Sequence, residues 1–395
     1  MRASTSAGDG GLTTRIIRTE REWDALRAEW DEVFTASPTA STPLQFGWLR
    51  RWWDLYARSL PGAALRIISV WRGARLVGVL PLYVRRARLG VRQLGFLSTG
   101  EPELEETCPD YLDLLSRAGD EAECSAAAWR AIETLAYDRL LLLDMPESAF
   151  VRSAAAAPGH VRSSRGACLV ADLAGGFEAY LKRLSANSRQ NARRLLREGD
   201  RAGATLELAD DARAPAIFDE LVRLHQARWI ADGKPGVFAA PRFLAFHRGL
   251  VSDWLGAGRL VLGRLAIAGQ PVAVLYGFVT RGRFEFYQSG VQVDGEGPLR
   301  SPGALAHLML MRALVDRGVT AYDFLRGQAA YKARLTTGAT ELVAINSWRP
   351  TARAAVFRSA RWGGRAMREG LRRVRQRLAE RRAAGVTQPD PPPTA

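Results

Sequence analysis

Apolar residues recur at helical spacing near the start of the chain. Within residues 20–34 the tryptophans and aliphatic residues fall on one side of a helix with 3.6 residues per turn, so one amphipathic helix is predicted there. These residues are Trp23, Leu26, Trp30 and Val33. A second helix, rich in aromatics, is predicted over 46–56 (FGWLRRWWDLY). We interpret its aromatic face as core packing.

Strand patterns follow, and one of them occurs twice. The segments RIISVW (66–71) and LVGVLPLYV (76–84), separated by a turn around Gly73, predict a β-hairpin. Residues 259–279 (RLVLGRLAIAGQPVAVLYGFV) have the same apolar pattern. In both places a helix and a short strand come later: 121–137 then LLLLD (140–144), and 304–317 then AYDFL (321–325). The sequence therefore predicts two copies of one α+β unit.

The remaining periodic segments complete the second copy. Helices are predicted over 177–184, 187–201, 215–230 and 241–257, and strands over 204–209, 284–290 and 341–348. We predict an N-terminal unit over 12–170, a C-terminal unit over 171–350 and a tail over 351–395.

Composition indicates a globular protein with an unevenly distributed charge. Hydrophobic residues make up 47% and charged residues 25% of 395 residues, and the net charge is +15. Much of this excess lies in 351–385, which holds eleven arginines and two glutamates. An anionic partner is expected, such as phosphate, nucleic acid, polysaccharide or a lipid surface.

Several classes of protein are excluded because the sequence lacks their motifs. The three cysteines, Cys108, Cys124 and Cys168, have no zinc or redox spacing, and reduced thiols are expected. The four histidines are scattered, and no triad, zincin or P-loop motif occurs, so no metal is expected. No secretion signal or spanning segment is evident, which predicts a cytoplasmic protein.

The tail has its own pattern. Met367, Leu371, Val374 and Leu378 recur at helical spacing, so 365–382 is predicted to be a basic amphipathic helix, followed by a disordered proline-rich end. Such a helix suits an anionic leaflet, the inner membrane face in a cytoplasmic protein. Packing on the body or on a second subunit is an equal alternative, and nonspecific nucleic-acid binding a third.

The sequence from Arg300 to Gly303 predicts the start of a helix. Ser301-Pro302-Gly303 follows a strand, and proline suits a first helical turn. Free N–H groups at such a start favour an anion, while plain capping is the alternative.

Four ordered segments carry a family resemblance. They are NSRQNARRLLREGDRAG (187–203), HQARWIADGKPGVF (225–238), SPG (301–303) and YDFLRGQAAYKARL (322–335). Together they resemble GNAT acyltransferases of the CelD-like group, linked to cellulose and exopolysaccharide biosynthesis and related to the FemAB transferases. The resemblance covers about residues 12–350. It implies two tandem GNAT-like units with mixed sheets flanked by helices, an α+β fold.

The resemblance also implies a donor site for acetyl-CoA or another acyl-CoA. In GNAT enzymes a loop of the type Arg or Gln, two residues, Gly, one residue, then Gly or Ala holds the pyrophosphate. Arg300 and Gly303 match it, whereas Leu305 departs from it. The residues implied in donor binding are Tyr287, Gln288, Ser289, Gly290, Arg300, Ser301, Gly303 and Ala304. The first copy has acidic sequence at this place, so no donor site is expected there.

The implied chemistry needs no covalent nucleophile. Tyr331 matches the tyrosine that protonates the departing thiolate, with packing as the alternative. Asp323 is a candidate general base or a structural partner of Arg326 or Lys332. Arg326 and Lys332 would bind an anionic acceptor or a donor phosphate.

Three further segments carry candidate contacts. His225, Arg228 and Trp229 are candidates for acceptor binding, although a histidine on an apolar helix face is more often part of the core. In 187–201, Arg189, Arg193 and Arg197 form either a solvated face or a phosphate contact. The five acids in 100–110 predict a solvated loop, with binding of a cationic amine or a metal as the alternative.

The expected function is transfer of an acyl group, acetyl in the simplest case, from coenzyme A to an amine or hydroxyl of a saccharide or related metabolite. Two alternatives remain: Fem-like transfer from aminoacyl-tRNA, and a non-catalytic membrane-surface scaffold acting through the arginine-rich tail. Expected partners are the acceptor and an anionic membrane surface contacted by 351–385, with no specific nucleic acid.

Overall fold

The computed structural model describes residues 11–154, 159–292, 299–327 and 330–359. The first half contains β1 (Leu12–Ile17), α1 (Glu20–Asp24), α2 (Arg27–Ala36), α3 (Phe46–Tyr56), β2 (Ala64–Leu65), β3 (Ile67–Arg72), β4 (Arg75–Leu80), β5 (Leu82–Arg86), β6 (Arg92–Phe96), β7 (Leu115–Ser116), α4 (Glu121–Thr134), β8 (Arg139–Pro146) and α5 (Ala149–Ala154).

The second half contains β9 (Val161–Asp172), α6 (Phe177–Arg183), α7 (Ala186–Arg201), β10 (Ala204–Leu208), α8 (Ala214–Ala231), α9 (Pro241–Trp254), β11 (Leu260–Ile267), β12 (Gln270–Thr280), β13 (Arg283–Val291), α10 (Pro302–Val315), β14 (Ala321–Arg326), α11 (Ala330–Leu335) and β15 (Gly338–Trp348). Residues 352–359 are also helical. The helix predicted over 365–382 and the proline-rich end lie outside the described residues. No helix within the described ranges is long and apolar enough to cross a bilayer.

The first predicted helix is two helices, α1 and α2. The side chain of Thr19 accepts a hydrogen bond from Glu22 N, and the Glu22 carboxylate accepts one from Thr19 N, which caps α1. Leu26 N then bonds to Trp23 O across three residues, which is a 3₁₀-type turn. This tightened turn divides the predicted helix, yet Trp23 and Trp30 both remain buried.

Eleven strands form one continuous sheet. Their order is β10-β11-β12-β13-β14-β9-β15-β8-β6-β5-β2, and a second sheet has the order β1-β3-β4-β7. β9 and β15 lie at the centre and pair antiparallel with each other. β9 follows α5 but pairs with β14, and β15, the last strand of the second half, pairs with β8 of the first. β15 therefore supplies the first half with an inner strand from the second half, while β9 lies between β14 and β15.

The two halves repeat one arrangement on either side of this centre. β13 and β14 are parallel neighbours in the second half, and β6 and β8 are parallel neighbours in the first. Each pair follows an antiparallel hairpin, β11–β12 or β3–β4. The predicted α+β fold of two tandem units is confirmed. The copies differ at Pro81, which separates β4 from β5 and sends them into different sheets.

The two faces of the second half's sheet have different cores. One face packs against α6, α7 and α10 around Phe284, Tyr322 and Phe324. The other face shares a larger core with the first half, in which Trp48 of α3 contacts Phe246 of α9 and Phe278 of β12. The halves are therefore packed together as well as joined by hydrogen bonds.

Candidate functional site

The parallel strands β13 and β14 separate after a short paired stretch. They pair only through Arg283–Glu285 and Ala321–Asp323. Beyond Glu285, no described strand pairs with the β14-facing edge of residues 286–291. The β12–β13 register also shifts next to Gly277, so Tyr287 occupies a β-bulge. Backbone N–H and C=O groups along this edge are available to a ligand.

Helix α10 begins beside this opening. It starts at Pro302 with Ser301 as N-cap, two residues earlier than the predicted Ala304, and the Ser301 side chain caps no backbone N–H. Arg300 and Ser301 are exposed, and Gly303 and Ala304 are half-buried. Since the first N–H groups of a helix have no intrahelical partners, this start can bind an anion.

Tyr331 lies on α11 against α10. Its ring stacks on the ring of His307, with centroids 5.4 Å apart and planes inclined by 20°. Burial raises the pKa of the Tyr331 phenol to about 12, and the charge of Arg228 on α8 opposes the rise. The phenol is therefore protonated near neutral pH, and Arg228 lies close enough to act on it.

The amine of Lys332 lies between the separating strands. Nζ donates a hydrogen bond of 2.8 Å to Phe324 O on β14 and lies 5.9 Å from the ring centroid of Phe286 on β13. The side chain is buried, and burial lowers the pKa of the amine. Lys332 thus supplies a positive charge inside the opening.

Asp323 is a buried structural group. Its carboxylate accepts hydrogen bonds from the Tyr111 hydroxyl (2.5 Å), Arg283 Nη1 (3.0 Å) and Leu325 N (2.7 Å). The side chain has no exposed surface, and burial raises the pKa of the carboxyl. The carboxylate has no access to an acceptor in this arrangement, and its ionic partner is Arg283 and not the predicted Arg326 or Lys332.

Arg326 joins β14 to the first half. Its Nε lies 3.3 Å from Asp110 Oδ1, and its Nη2 donates to Asp144 Oδ2 at 3.2 Å. Its backbone N also donates to Asp110 Oδ2 at 2.7 Å. Burial raises the pKa of Asp110 to about 6, and Arg326 opposes the rise. The guanidinium is already paired with two carboxylates, so its predicted contact with an anion would need one of these pairs to open.

The acidic loop 100–110 is built into the junction between the halves. Glu101 is 7% exposed and accepts a 2.7 Å hydrogen bond from the Thr107 hydroxyl, and burial raises the pKa of its carboxyl. Asp110 is buried as well. The prediction of a solvated loop is therefore wrong for these two acids. No group of residues arranged to hold a metal is found in the described ranges.

Unusual backbone conformations concentrate at this junction. Cys108, Tyr111, Asp144 and Leu325 have φ values of 44°, 67°, 58° and 52°, in the left-handed region that non-glycine residues seldom adopt. Tyr111 N bonds to Asp144 O at 2.9 Å. Strain of this kind persists where the surrounding contacts fix the chain, and it is common at functional sites.

The side chains predicted to line β13 point in different directions. Tyr287 faces the first half, where its hydroxyl donates to Thr107 O at 2.7 Å and its ring packs on His247. Gln288 and Ser289 are half-buried. Gly290 lies under α8, since a Cβ there would be 2.4 Å from Leu221 O. Of these four, Tyr287 would therefore contact a donor only through its backbone.

Helix α8 supplies the predicted acceptor contacts. His225 is buried against Phe238, and burial lowers its pKa to about 4. His225 is therefore part of the core. Arg228 is exposed, and Trp229 is 37% exposed with Lys234 Nζ over its ring. On α8 the exposed polar group whose charge acts on Tyr331 is therefore Arg228, whereas His225 belongs to the core.

Helix α7 packs against the start of α10, and its arginines lie on its other faces. A Cβ at Gly199 would lie 2.7 Å from Leu305 Cδ2, so this part of α7 packs directly on the first turn of α10. Arg189 donates to Lys182 O, and Arg193 lies 3.7 Å from Glu178. Arg197 is exposed and has no partner among the described residues.

A polar cleft of about 600 Å³ lies at the opposite end of β13. Residues of both halves line it, among them Ser41, Tyr111, Arg283 and Glu285. Glu285 is 3% exposed, and burial raises the pKa of its carboxyl to about 7. No sequence motif indicated this cleft because its walls come from distant segments.

Residues 186–333 match the family model described as an acetyltransferase (GNAT) domain. This part of the chain is therefore similar to GNAT-type acetyltransferase domains. The match begins at α7 and ends just after Lys332, so the matched region includes the separating strands, the start of α10 and Tyr331. The match supports acyl transfer as the general kind of chemistry.

Solved structures share the fold at low sequence identity. FemX is 11% identical over 82% of this chain and 96% of its own, with a TM-score of 0.57. A conserved protein of unknown function from Bacteroides thetaiotaomicron VPI-5482 is 13% identical over 85% of this chain and 100% of its own, with a TM-score of 0.53. No curated protein matches the sequence significantly. These likenesses extend across both halves and concern the fold alone.

Proposed function

We propose that this protein transfers an acyl group, acetyl in the simplest case, from coenzyme A to an amine or hydroxyl of a saccharide or related metabolite. The observation that carries the proposal is the opening between β13 and β14 beside the free start of α10 within the region that matches the GNAT model. The resemblance to the CelD-like group supports a saccharide acceptor and a role in polysaccharide or cell-envelope biosynthesis.

The donor would bind along the opening. Its diphosphate would be held by the N–H groups at the start of α10, where Gly303 permits close approach and Arg300 adds positive charge. Its pantetheine arm would lie against the unpaired edge of 286–291 and hydrogen-bond to it as an added strand would.

The transfer would proceed by direct attack. The lone pair of the neutral acceptor forms a bond to the thioester carbon, the carbon–sulfur bond breaks, and the thiolate leaves. Tyr331 is protonated near neutral pH and would give its proton to this thiolate, while the acceptor's proton passes to solvent and solvent restores the phenol. Lys332 would stabilise negative charge on the thioester oxygen during the attack.

The acceptor would enter from the side of α8. Arg228 lies near enough to Tyr331 to influence its pKa, and Trp229 is partly exposed one residue further on. An acceptor held by these two side chains would reach a thioester bound next to Tyr331. A sugar ring would pack on the exposed part of the Trp229 ring, beside Lys234.

Isothermal titration with acetyl-CoA tests the donor site. We expect the protein to bind acetyl-CoA and Gly303→Glu to abolish binding, because the new carboxylate repels phosphate. Gly303→Ala is the matched control, since its Cβ would make only an ordinary contact of 3.4 Å with Val291. Absence of binding by the unaltered protein would reject the proposal.

Two other functions predict different results. Fem-like transfer from aminoacyl-tRNA predicts that ribonuclease abolishes activity in an extract, whereas the coenzyme A proposal predicts no effect. A non-catalytic scaffold predicts that Tyr331→Phe leaves the cellular phenotype intact while deletion of 351–395 removes it. The acyltransferase proposal requires that Tyr331→Phe weaken the phenotype.

A further inference from the structure

The turn between β5 and β6 carries a concentration of positive charge. Residues 85–92 include Arg85, Arg86, Arg88 and Arg92 and no acidic residue. Arg86 and Arg88 are exposed. Between them and Arg92, Leu89 is 59% exposed and has a φ of 58°. This backbone holds an aliphatic side chain outward at the tip of a basic hairpin.

The last described segment has the same character. Residues 349–359 contain three arginines, at 349, 353 and 358, and no acidic residue. Val356 is 59% exposed on the helical part of this segment. Ala354 is buried and Phe357 packs on Trp348, so the helix is fixed to the fold with Val356 facing outward.

A single buried carboxylate connects the two segments. Asp138 accepts hydrogen bonds from Arg92 N at 2.8 Å, Arg92 Nε at 3.3 Å and Arg92 Nη2 at 3.2 Å. The same carboxylate lies 4.0 Å from Arg353 Nη1, and Arg349 N donates to Asp138 O at 3.0 Å. The hairpin and the terminal segment therefore form one surface, which we call the basic face (residues 85–92 and 349–359).

The described part of the chain ends at this surface. Residues 361–382 follow it directly and contain nine arginines against Glu369 and Glu380. The positively charged sequence beyond residue 359 thus begins at a surface that is already basic. Both contribute to the attraction of a large anionic partner.

We propose that the basic face binds an anionic phospholipid surface, with Leu89 and Val356 entering the headgroup region between the arginines. Arginines attract anionic headgroups. Exposed apolar side chains among them strengthen binding, because they are buried in the lipid when the surface binds. A nucleic acid would instead be expected to meet stacking aromatic side chains. The exposed apolar residues here are aliphatic, which favours lipid. The proposal does not depend on the acyl donor or acceptor.

Sedimentation of the full-length protein with vesicles tests this assignment. The vesicles contain either phosphatidylcholine alone or an equal mixture of phosphatidylcholine and phosphatidylglycerol. We expect binding to the mixed vesicles alone, weakened by added salt. Arg86→Glu/Arg88→Glu/Leu89→Ser should weaken binding by about a hundredfold, because two arginines are reversed and one apolar contact is lost.

The matched control makes the same changes away from the basic face. Arg223→Glu/Arg312→Glu/Leu104→Ser alters two exposed arginines and one exposed leucine elsewhere and should bind mixed vesicles as the unaltered protein does. If the hairpin variant unfolds, Val356→Ser/Arg358→Glu gives an independent test on the other segment. Equal binding by the basic-face variants and the control would overturn the proposal. So would failure of the unaltered protein to bind mixed vesicles, including the case in which it binds tRNA through these arginines.

Discussion

The Glu285 carboxyl shows how burial on β13 affects one residue. Burial raises its pKa to about 7, although hydrogen bonds from Thr42 and the charge of Arg283 favour the ionised form. In the unfolded chain the pKa returns to its ordinary value of 4.5. The folded state therefore gains most from the protonated carboxyl below the ordinary pKa, and this gain is lost as the pH rises through about 7.

Glu285→Gln should therefore change the pH dependence of stability. The glutamine stays neutral, so the variant should match the unaltered protein near about pH 5 and be more stable by roughly 1–3 kcal/mol near about pH 8. Denaturant unfolding at both pH values measures this. Glu341→Gln, at an exposed position of β15, should show no such difference. A Glu285→Gln variant that is equally destabilised at both values would contradict the interpretation.

Tyr331→Phe tests the proton donor. Stacking on His307 is retained by phenylalanine, so the affinity for acetyl-CoA should stay within about twofold, whereas kcat should fall by about a hundredfold because general acid catalysis is lost. Titration and steady-state rates separate the two effects. Unchanged kcat would assign Tyr331 to packing.

At the scale of elements, α8 and β13 depend on close contact. A Cβ at Gly290 would lie 2.4 Å from Leu221 O and 2.8 Å from Leu224 Cβ. Since these atoms are a backbone oxygen and a Cβ of α8, the helix must move to accommodate the added methyl group. We expect Gly290→Ala to lower the free energy of unfolding by about 1–3 kcal/mol and to weaken donor binding. Gly303→Ala should do neither, and equal effects in chemical unfolding would contradict this view of the contact.

The positions of many helices and strands were predictable from the sequence. The repeated hairpin and the strand over 284–290 depend on local alternation, and α10 on local start signals, so their positions followed within a few residues. Local patterns gave no partner for β15, because an apolar strand fits any buried place in a sheet. The same limit hid the pairing of Asp323 with Arg283 and of Arg326 with Asp110, which come together only when distant strands meet.

At the scale of the whole molecule, β15 of the second half joins the two halves into one unit by pairing with β8 of the first. Val343 and Ile345 of β15 belong to the core that holds the first half's tryptophans. Ile345→Asp should therefore disturb the first half, shift tryptophan emission to longer wavelength and cost more than about 3 kcal/mol of stability. Glu341→Ala on the same strand, at an exposed position, is the control. Retention of native first-half emission in Ile345→Asp would contradict this dependence.

Because β15 pairs with β8, the order of synthesis matters for how the polypeptide matures. Domains usually acquire their structure from the amino terminus onwards as the ribosome elongates them. Here the first half lacks an inner strand until residues 338–348 have emerged, so one edge of β8 stays uncovered until then. Nascent molecules are therefore candidates for chaperone binding until β15 has been synthesised.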